Sequence, residues 1–451
     1  MVLVVATLGV SLLLLLTFTQ VIKRMFVNKK PPKWLNGLPY YLLVGVLLLA
    51  GWAVVMWNGW QSHALNWLNL LVRWAHVIIG IAWIGASFYF VFLENSLNRT
   101  KDLRDELAGN LWAIHGGGFY YLEKYKNAPK VIPDQLHWFK YEAYFTWITG
   151  FLLLIIVYYS KAEFTMAANS EIPAGLAVGM GIGSLVVGWL FYHLLCGSKV
   201  IHQPVMFFFI MLLFITGVAY LLVIFLSPKA AYIHIGAMMG TMMAGNVFQV
   251  IIPAQKALVA AAKKGLTADP ELGKYAGLRS MHNNYFTLPV VFIMISNHFP
   301  STFGHPYNWA ILGGLILLSA GLRHYLNLQE KGRQAFWILP TVTLGVLVLA
   351  FITAPKIDRE AASAPVSIDQ VMIIFQKRCN SCHSANPTDS VWVVAPNGVM
   401  YDEPAQIVKM QDQIMLRVVT TETMPLANQT GMTAEERELI KAWIVQGAKI
   451  E

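Results

Sequence analysis

Ten long apolar runs, separated by polar stretches that alternate between basic and nearly uncharged, constrain this chain more than any other feature. A helix needs roughly 20 apolar residues to cross a bilayer's hydrocarbon core. Runs of about that length cover 2–22, 39–59, 67–93, 141–160, 172–196, 204–227, 231–253, 285–299, 306–327 and 336–355. The run at 285–299 is the shortest, and Pro289 would kink it. Composition agrees: 56% of the 451 residues are hydrophobic and only 13% charged, where a soluble domain carries about a quarter charged. The expected fold is all-α, a polytopic membrane helix bundle of about ten spans over residues 1–355.

The charges between the runs set orientation, because cytoplasmic loops collect Lys and Arg. The odd loops hold 21 basic residues, among them Lys23, Arg24, Lys124, Lys199, Lys256, Arg279, Arg323 and Arg333; the even loops hold only Lys161 and Lys229. Odd loops inside places both termini outside. The first run has no basic residue before it and is followed by Lys23 and Arg24, which suits a retained helix better than a cleaved signal. Most of the net charge of +9 is thereby topological, and no nucleic-acid partner is implied; the partner is the lipid membrane.

Composition changes after the last run. Residues 356–366, rich in Ala, Ser and Pro, suit a linker, and 367–451 read as a separate, water-facing domain. It contains Cys379-Asn380-Ser381-Cys382-His383, the C-x-x-C-H pattern of c-type haem attachment. One helical turn between the thiols lets Cys379 and Cys382 reach both vinyl groups of one porphyrin, and His383 then faces the iron as proximal ligand. Ser367 is placed to cap a helix whose apolar stripe is Val371, Ile374 and Phe375. A further helical stretch is expected near Ala405 to Val419. Met424, after that stretch and before Pro425, suits the second axial position, where a thioether raises the reduction potential. Met400, Met410, Met415 and Met432 compete for that role, but Met410 and Met415 fall on the expected helix and suit packing. Thr433 to Glu436 form a capping box, and Leu439, Ile440 and Trp443 would pack the last helix on the first. This pattern resembles class I cytochromes c. A zinc site would want four ligands, and the one other cysteine, Cys196, lies in an apolar run, where it reads as a small buried hydrophobe.

Ionisable residues inside spans are costly and mark function by default. Arg73 and His76 lie in LLVRWAHVIIGIAWIG, which is similar to His-bearing helices of some haem-b membrane proteins. His76 is therefore a candidate haem b ligand, with His234 and His298 as partners on the same outer face; a buried, hydrogen-bonded histidine explains it as well. A second polar group gathers on the cytoplasmic side: His115-Gly116-Gly117-Gly118, then His137 to Glu142, then Arg279-Ser280-Met281-His282-Asn283-Asn284. Its glycines permit close approach, its aromatics stack, and its Arg and Asn side chains hydrogen-bond carbonyls and ring nitrogens. A planar, oxygen-rich anion would suit it. Interfacial anchoring by aromatic and basic residues explains single members equally well.

At RWAHVIIGIAWIG, HGGGFYYLEKY, HWFKYEAYFTWITGF and RSMHNNYFTLPV, followed by the C-x-x-C-H domain, the whole chain resembles the bacterial cytochrome-c-linked membrane urate oxidases, also called urate hydroxylases. The resemblance implies an oxidoreductase of purine catabolism in the bacterial inner membrane. Urate and water would give 5-hydroxyisourate, with electrons passing to one covalent haem c and on to a respiratory-chain cytochrome c or oxidase. The haem c domain would face the periplasm. Within that frame Arg279, Asn283 and Asn284 are expected to bind urate, and His282, Glu142 or His115 to act as general base. A haem-containing membrane oxidoreductase acting on a quinol or another small molecule is the alternative.

Overall fold

A computed structural model describes residues 38–354 and 365–450, apart from residues 127, 130, 170, 268, 390 and 391. The expected span 2–22, the basic segment after it and most of the linker lie outside the described residues. Two compact units divide the chain, one ending at Leu71 and one beginning at Val72.

Every other apolar run is helical: α1 Leu38–Trp57, α2 Gln61–Asn95, α3 Tyr141–Leu153, α4 Ala174–Gly197, α5 Pro204–Phe225, α6 Pro228–Gly245, α7 Ile252–Lys263, α8 Pro270–Ser296, α9 Asn308–Glu330 and α10 Ile338–Ile352. Proline in the first turn starts α5, α6, α7 and α8, where its missing N–H costs no intrahelical bond. Among the described residues six helical stretches are long and apolar enough to cross a membrane: His63–Asn95, Tyr141–Thr165, Ala174–Gly197, Pro204–Phe225, Pro228–Lys263 and Asn308–Glu330. The apolar parts of α1 and α10 are shorter. α8 begins at Pro270, well before the apolar run expected at 285–299, because its first half is a polar helical extension ending in Arg279 and His282. Pro289 lies inside this helix rather than ending it.

In the second unit the helices run alternately up and down. One end gathers Asn95 against Glu330 and Tyr275 against Cys196. The other joins Ala168 to Phe225, Ser227 to Met166, and Tyr232 to Asn308. The buried core lies among α4, α5, α6, α8 and α9, with Tyr192, Ile215, Met238 and Leu312 almost without exposure. α4 and α6 approach closely because Gly181 and Gly188 present no side chain: a Cβ on Gly181 would sit 2.6 Å from His234, and one on Gly188 would overlap Met238. Small residues serve this purpose between helices in lipid.

The all-α expectation fails in one loop. Strands β1 Leu107–His115 and β2 Gly118–Tyr125 form an antiparallel hairpin. Gly116 and Gly117, read from sequence as glycines admitting a ligand, have φ of +56° and +80° and make the tight turn that such a hairpin requires.

Around the C-x-x-C-H segment, α11 Ile368–Arg378, α12 Pro404–Lys409 and α13 Ala434–Val445 pack through Val371, Phe375, Ile407, Ile440 and Trp443. The expected capping box of Thr433 with Glu436 is present, and Ser367, expected as a cap, forms a second box with Gln370. These helices lie against the end of the bundle that carries Lys161 and Glu163. Gln429 Nε2 donates to the Glu163 carbonyl at 3.4 Å, and the Lys161 ammonium sits 4.3 Å from the Trp392 ring centre.

Candidate functional site

Arg279 is completely buried within α8, not in a loop as the charge pattern suggested. It donates to Asn246 Oδ1 at 3.1 Å and to Tyr275 OH at 2.6 Å, and its guanidinium lies 5.0 Å from the ring centres of Tyr192 and Tyr275. Among the described residues no carboxylate is within ion-pair distance of it. Its Nε is buried without a hydrogen-bond partner there, as are Asn284 Nδ2, His193 Nδ1 and Glu142 Oε2. A buried cation without an acid is unusual, because desolvating it costs several kcal/mol, on the order of what a good ion pair returns.

A hydrogen-bond chain leads away from this arginine. Asn246 accepts from Arg279 and donates to both Tyr192 OH and Asn283 Oδ1, each at 2.8 Å. Asn283 Nδ2 donates to the Met243 carbonyl at 3.1 Å. Tyr192 OH lies 2.9 Å from His282 Nδ1. Tyr192 already accepts from Asn246, yet it can still donate to His282 or accept from it. The imidazole can therefore present Nε2 with or without its proton. Phe207 stacks on that imidazole at 4.6 Å and 22°. Arg279, His282 and Asn283 share this network because positions separated by three and four lie on one helical face.

Asn246 reaches the network through backbone geometry. Residues Asn246–Ile251 form a π turn between α6 and α7. Pro253 follows and cannot donate to the carbonyl four residues back; a wider turn accommodates that loss. π turns inserted in helices recur at functional sites.

Asn284 points the other way. Its Oδ1 accepts from Arg323 Nε at 2.9 Å and from Asn327 Nδ2 at 3.1 Å. Arg323, counted from sequence with the basic loops, is 2% exposed inside α9, 3.3 Å from Glu330 Oε1 and 4.3 Å from the Phe88 ring centre. Glu330 also accepts from Asn95 at 2.8 Å. This arginine is paired, whereas Arg279 is not.

The other expected bases stand apart from this network. His115 is exposed at the hairpin turn. Glu142 sits in the first turn of α3, its Oε2 buried and unpartnered. His76 Nδ1 faces the Thr146 carbonyl at 3.1 Å and Thr149 Oγ1 at 3.0 Å. A carbonyl only accepts, so Nδ1 carries the proton and Nε2 keeps its lone pair, the form that could ligate a haem iron. His234 is different: Nδ1 donates to the Ala230 carbonyl at 2.8 Å and Nε2 lies 3.0 Å from Tyr159 OH. Both nitrogens are engaged within the protein, which leaves none for a metal. His298 is exposed. Tyr192, Asn246, Tyr275 and Arg323 were missed from sequence, although Asn246 interrupts an apolar run and Tyr275 stands four residues before Arg279.

The C-terminal cysteines form a second candidate site. Cys379 and Cys382 are free, and burial pushes the Cys379 thiol up to about 12. His383 Nδ1 donates to the Val399 carbonyl at 3.0 Å, so Nε2 keeps its lone pair, the arrangement that outer hydrogen bonds give histidines that bind metals. Burial lowers the pKa of His383 and favours the neutral, ligating form. Met424 and Cys379 both pack against the same core. Its backbone is held from two sides: Met424 N donates to the Arg417 carbonyl at 3.0 Å, and buried Arg437 donates to the Met424 carbonyl at 2.9 Å. The donor set fits haem c. Among the described residues no group of three or more His, Cys, Asp or Glu is placed to hold a metal ion, so a zinc cluster finds no support.

A family model described as urate oxidase N-terminal matches residues 62–354. No curated protein and no solved structure matches the chain.

Proposed function

The chain belongs to the urate oxidase N-terminal family, and from that membership we propose that it oxidises urate with water to 5-hydroxyisourate and sends the two electrons to haem c. The observation that carries the reading is Arg279: a buried guanidinium that, among the described residues, has no acidic partner and no partner at Nε suits an anionic heterocycle such as the urate monoanion. Asn283 stands one turn on along the same face of α8 and joins Arg279 through Asn246, and Phe207, stacked on the His282 ring, favours a planar ligand.

In this reading Arg279 orients the anion and neutralises its charge. His282 takes a proton at Nε2 while its Nδ1 proton is shared with Tyr192, which is the work of a general base. Glu142, and more remotely His115, are the competing bases. Cys379 and Cys382 would hold haem c by thioether bonds, with His383 and Met424 on the iron; when bound, that group supplies a one-electron acceptor, so each urate requires two successive transfers. His76, with Nε2 free, is the place for a haem b if one is present. The C-terminal helices lie against the bundle end with few basic residues, which supports a bacterial inner membrane protein with this domain in the periplasm. From there electrons would pass to a respiratory cytochrome c or oxidase.

Anaerobic addition of urate to the purified protein tests the reading. The visible absorption of haem c should shift to the reduced form, and 5-hydroxyisourate should appear without hydrogen peroxide. Reduction by a quinol but not by urate would support the alternative substrate class and overturn this one.

A further inference from the structure

The β1–β2 hairpin presents one uncovered apolar face. Residues paired across an antiparallel ladder share a face, and the pairs Trp112–Tyr121 and Ile114–Phe119 lie together on it. All four are exposed: 45% for Tyr121, 65% for Trp112, 68% for Ile114 and 78% for Phe119. Exposure increases from the base of the hairpin to its tip. A water-facing loop would place polar residues there, since a contiguous exposed apolar patch marks an interaction site.

The base of the hairpin fixes where that face lies. Asn98 and Asn110 exchange backbone hydrogen bonds at 2.8 and 3.1 Å, and Lys124 pairs with Glu94. These contacts tie the hairpin to the last turn of α2, one of the six helices able to cross a membrane. Just before that turn, Tyr89, Phe90 and Phe92 of α2 are exposed, and Phe90 packs at 4.8 Å on Phe139, also exposed. The uncovered face therefore stands next to the end of α2 that carries exposed aromatic side chains, the end of a helix long and apolar enough to cross a membrane. Trp and Tyr concentrate where hydrocarbon gives way to water, the ring in the apolar layer and the polar edge in the head groups.

We propose that the hairpin is a membrane-interface anchor, with Trp112, Ile114, Phe119 and Tyr121 inserted among lipid head groups beside α2. The occupant of the face is the bilayer, not a second copy of the chain.

The test uses the full chain in vesicles of phosphatidylcholine and phosphatidylglycerol. Trp112→Phe should remove an emission component that is blue-shifted, quenched by lipid brominated near the head group, and protected from aqueous iodide. Phe119→Trp in that background should restore a component with the same behaviour, so that neither variant alone decides the result. Iodide quenching of both indoles without quenching by brominated lipid would overturn the proposal. So would protection from both quenchers together with a dimer in detergent that Phe119→Asp dissociates, which would assign the face to a second copy.

Discussion

Replacing Arg279 with Met separates the two roles a buried arginine can have. If the side chain only supports the fold, its loss leaves Asn246 Oδ1 and Tyr275 OH without their donor, at about 1–3 kcal/mol for each orphaned group. Against this, the variant removes an unpaired buried guanidinium whose desolvation costs several kcal/mol, and Met refills much of the space with a flexible apolar chain. The two effects nearly cancel, so substrate-free stability should change by no more than about 2 kcal/mol. Urate binding should respond very differently. Losing a charge-assisted contact to an anion in a desolvated site costs about 3–5 kcal/mol, or a fall of about 100- to 3000-fold in kcat/KM. The assay pairs thermal unfolding of the purified protein with the rate of urate-dependent haem reduction. Arg279→Lys, which keeps the charge but loses the planar fork, should recover part of the activity. Unchanged urate kinetics in Arg279→Met, or a loss of activity matched by a loss of folded protein, would refute the reasoning.

On the proposed haem c assignment, Met424→His should keep the thioether-bound group, since Cys379 and Cys382 are untouched, while the reduction potential falls because a thioether ligand is lost; a potentiometric titration checks this. Glu330→Ala should destabilise the protein by about 3–5 kcal/mol, because it strands buried Arg323 without its acid, and thermal unfolding in detergent reads the loss. Acid stability of the C-terminal domain should depend on Glu436. Burial alone would raise its pKa, but Arg378, which donates to it at 2.9–3.1 Å, and the Thr433 N–H together hold it below the usual carboxylate range. A depressed folded pKa means that the contribution is complete above the unfolded value of about 4.3 and disappears as pH falls through the folded one. Unfolding followed across that window should lose its pH dependence in part in Glu436→Gln.

How much was legible in the chain itself follows from which forces act locally. Apolar runs, helix caps and the C-x-x-C-H spacing are short-range patterns, so the apolar helices, Ser367 and Thr433 as caps, and Cys379, Cys382 and His383 as one cluster could all be read directly. The hairpin could have been read, since two glycines between alternating aromatics spell a turn, but a ligand-binding interpretation displaced it. Arg279 and Arg323 show the limit. In sequence they are two basic residues near helix ends and count equally towards orientation. Packing sets Asn284 of α8 beside Arg323, whose acid Glu330 stands two turns on along its own helix, and among the described residues gives Arg279 only neutral partners, Tyr275 on its own helix and Asn246 and Tyr192 from others. His234 and His282 divide in the same way: each is a histidine on a helix, and only its neighbours decide which has both nitrogens engaged and which keeps one to exchange a proton. The chain by itself determined the elements, their caps and the chemistry available at each position; the tertiary structure decided which charge is compensated, since compensation depends on which side chains the packed helices bring within hydrogen-bond reach.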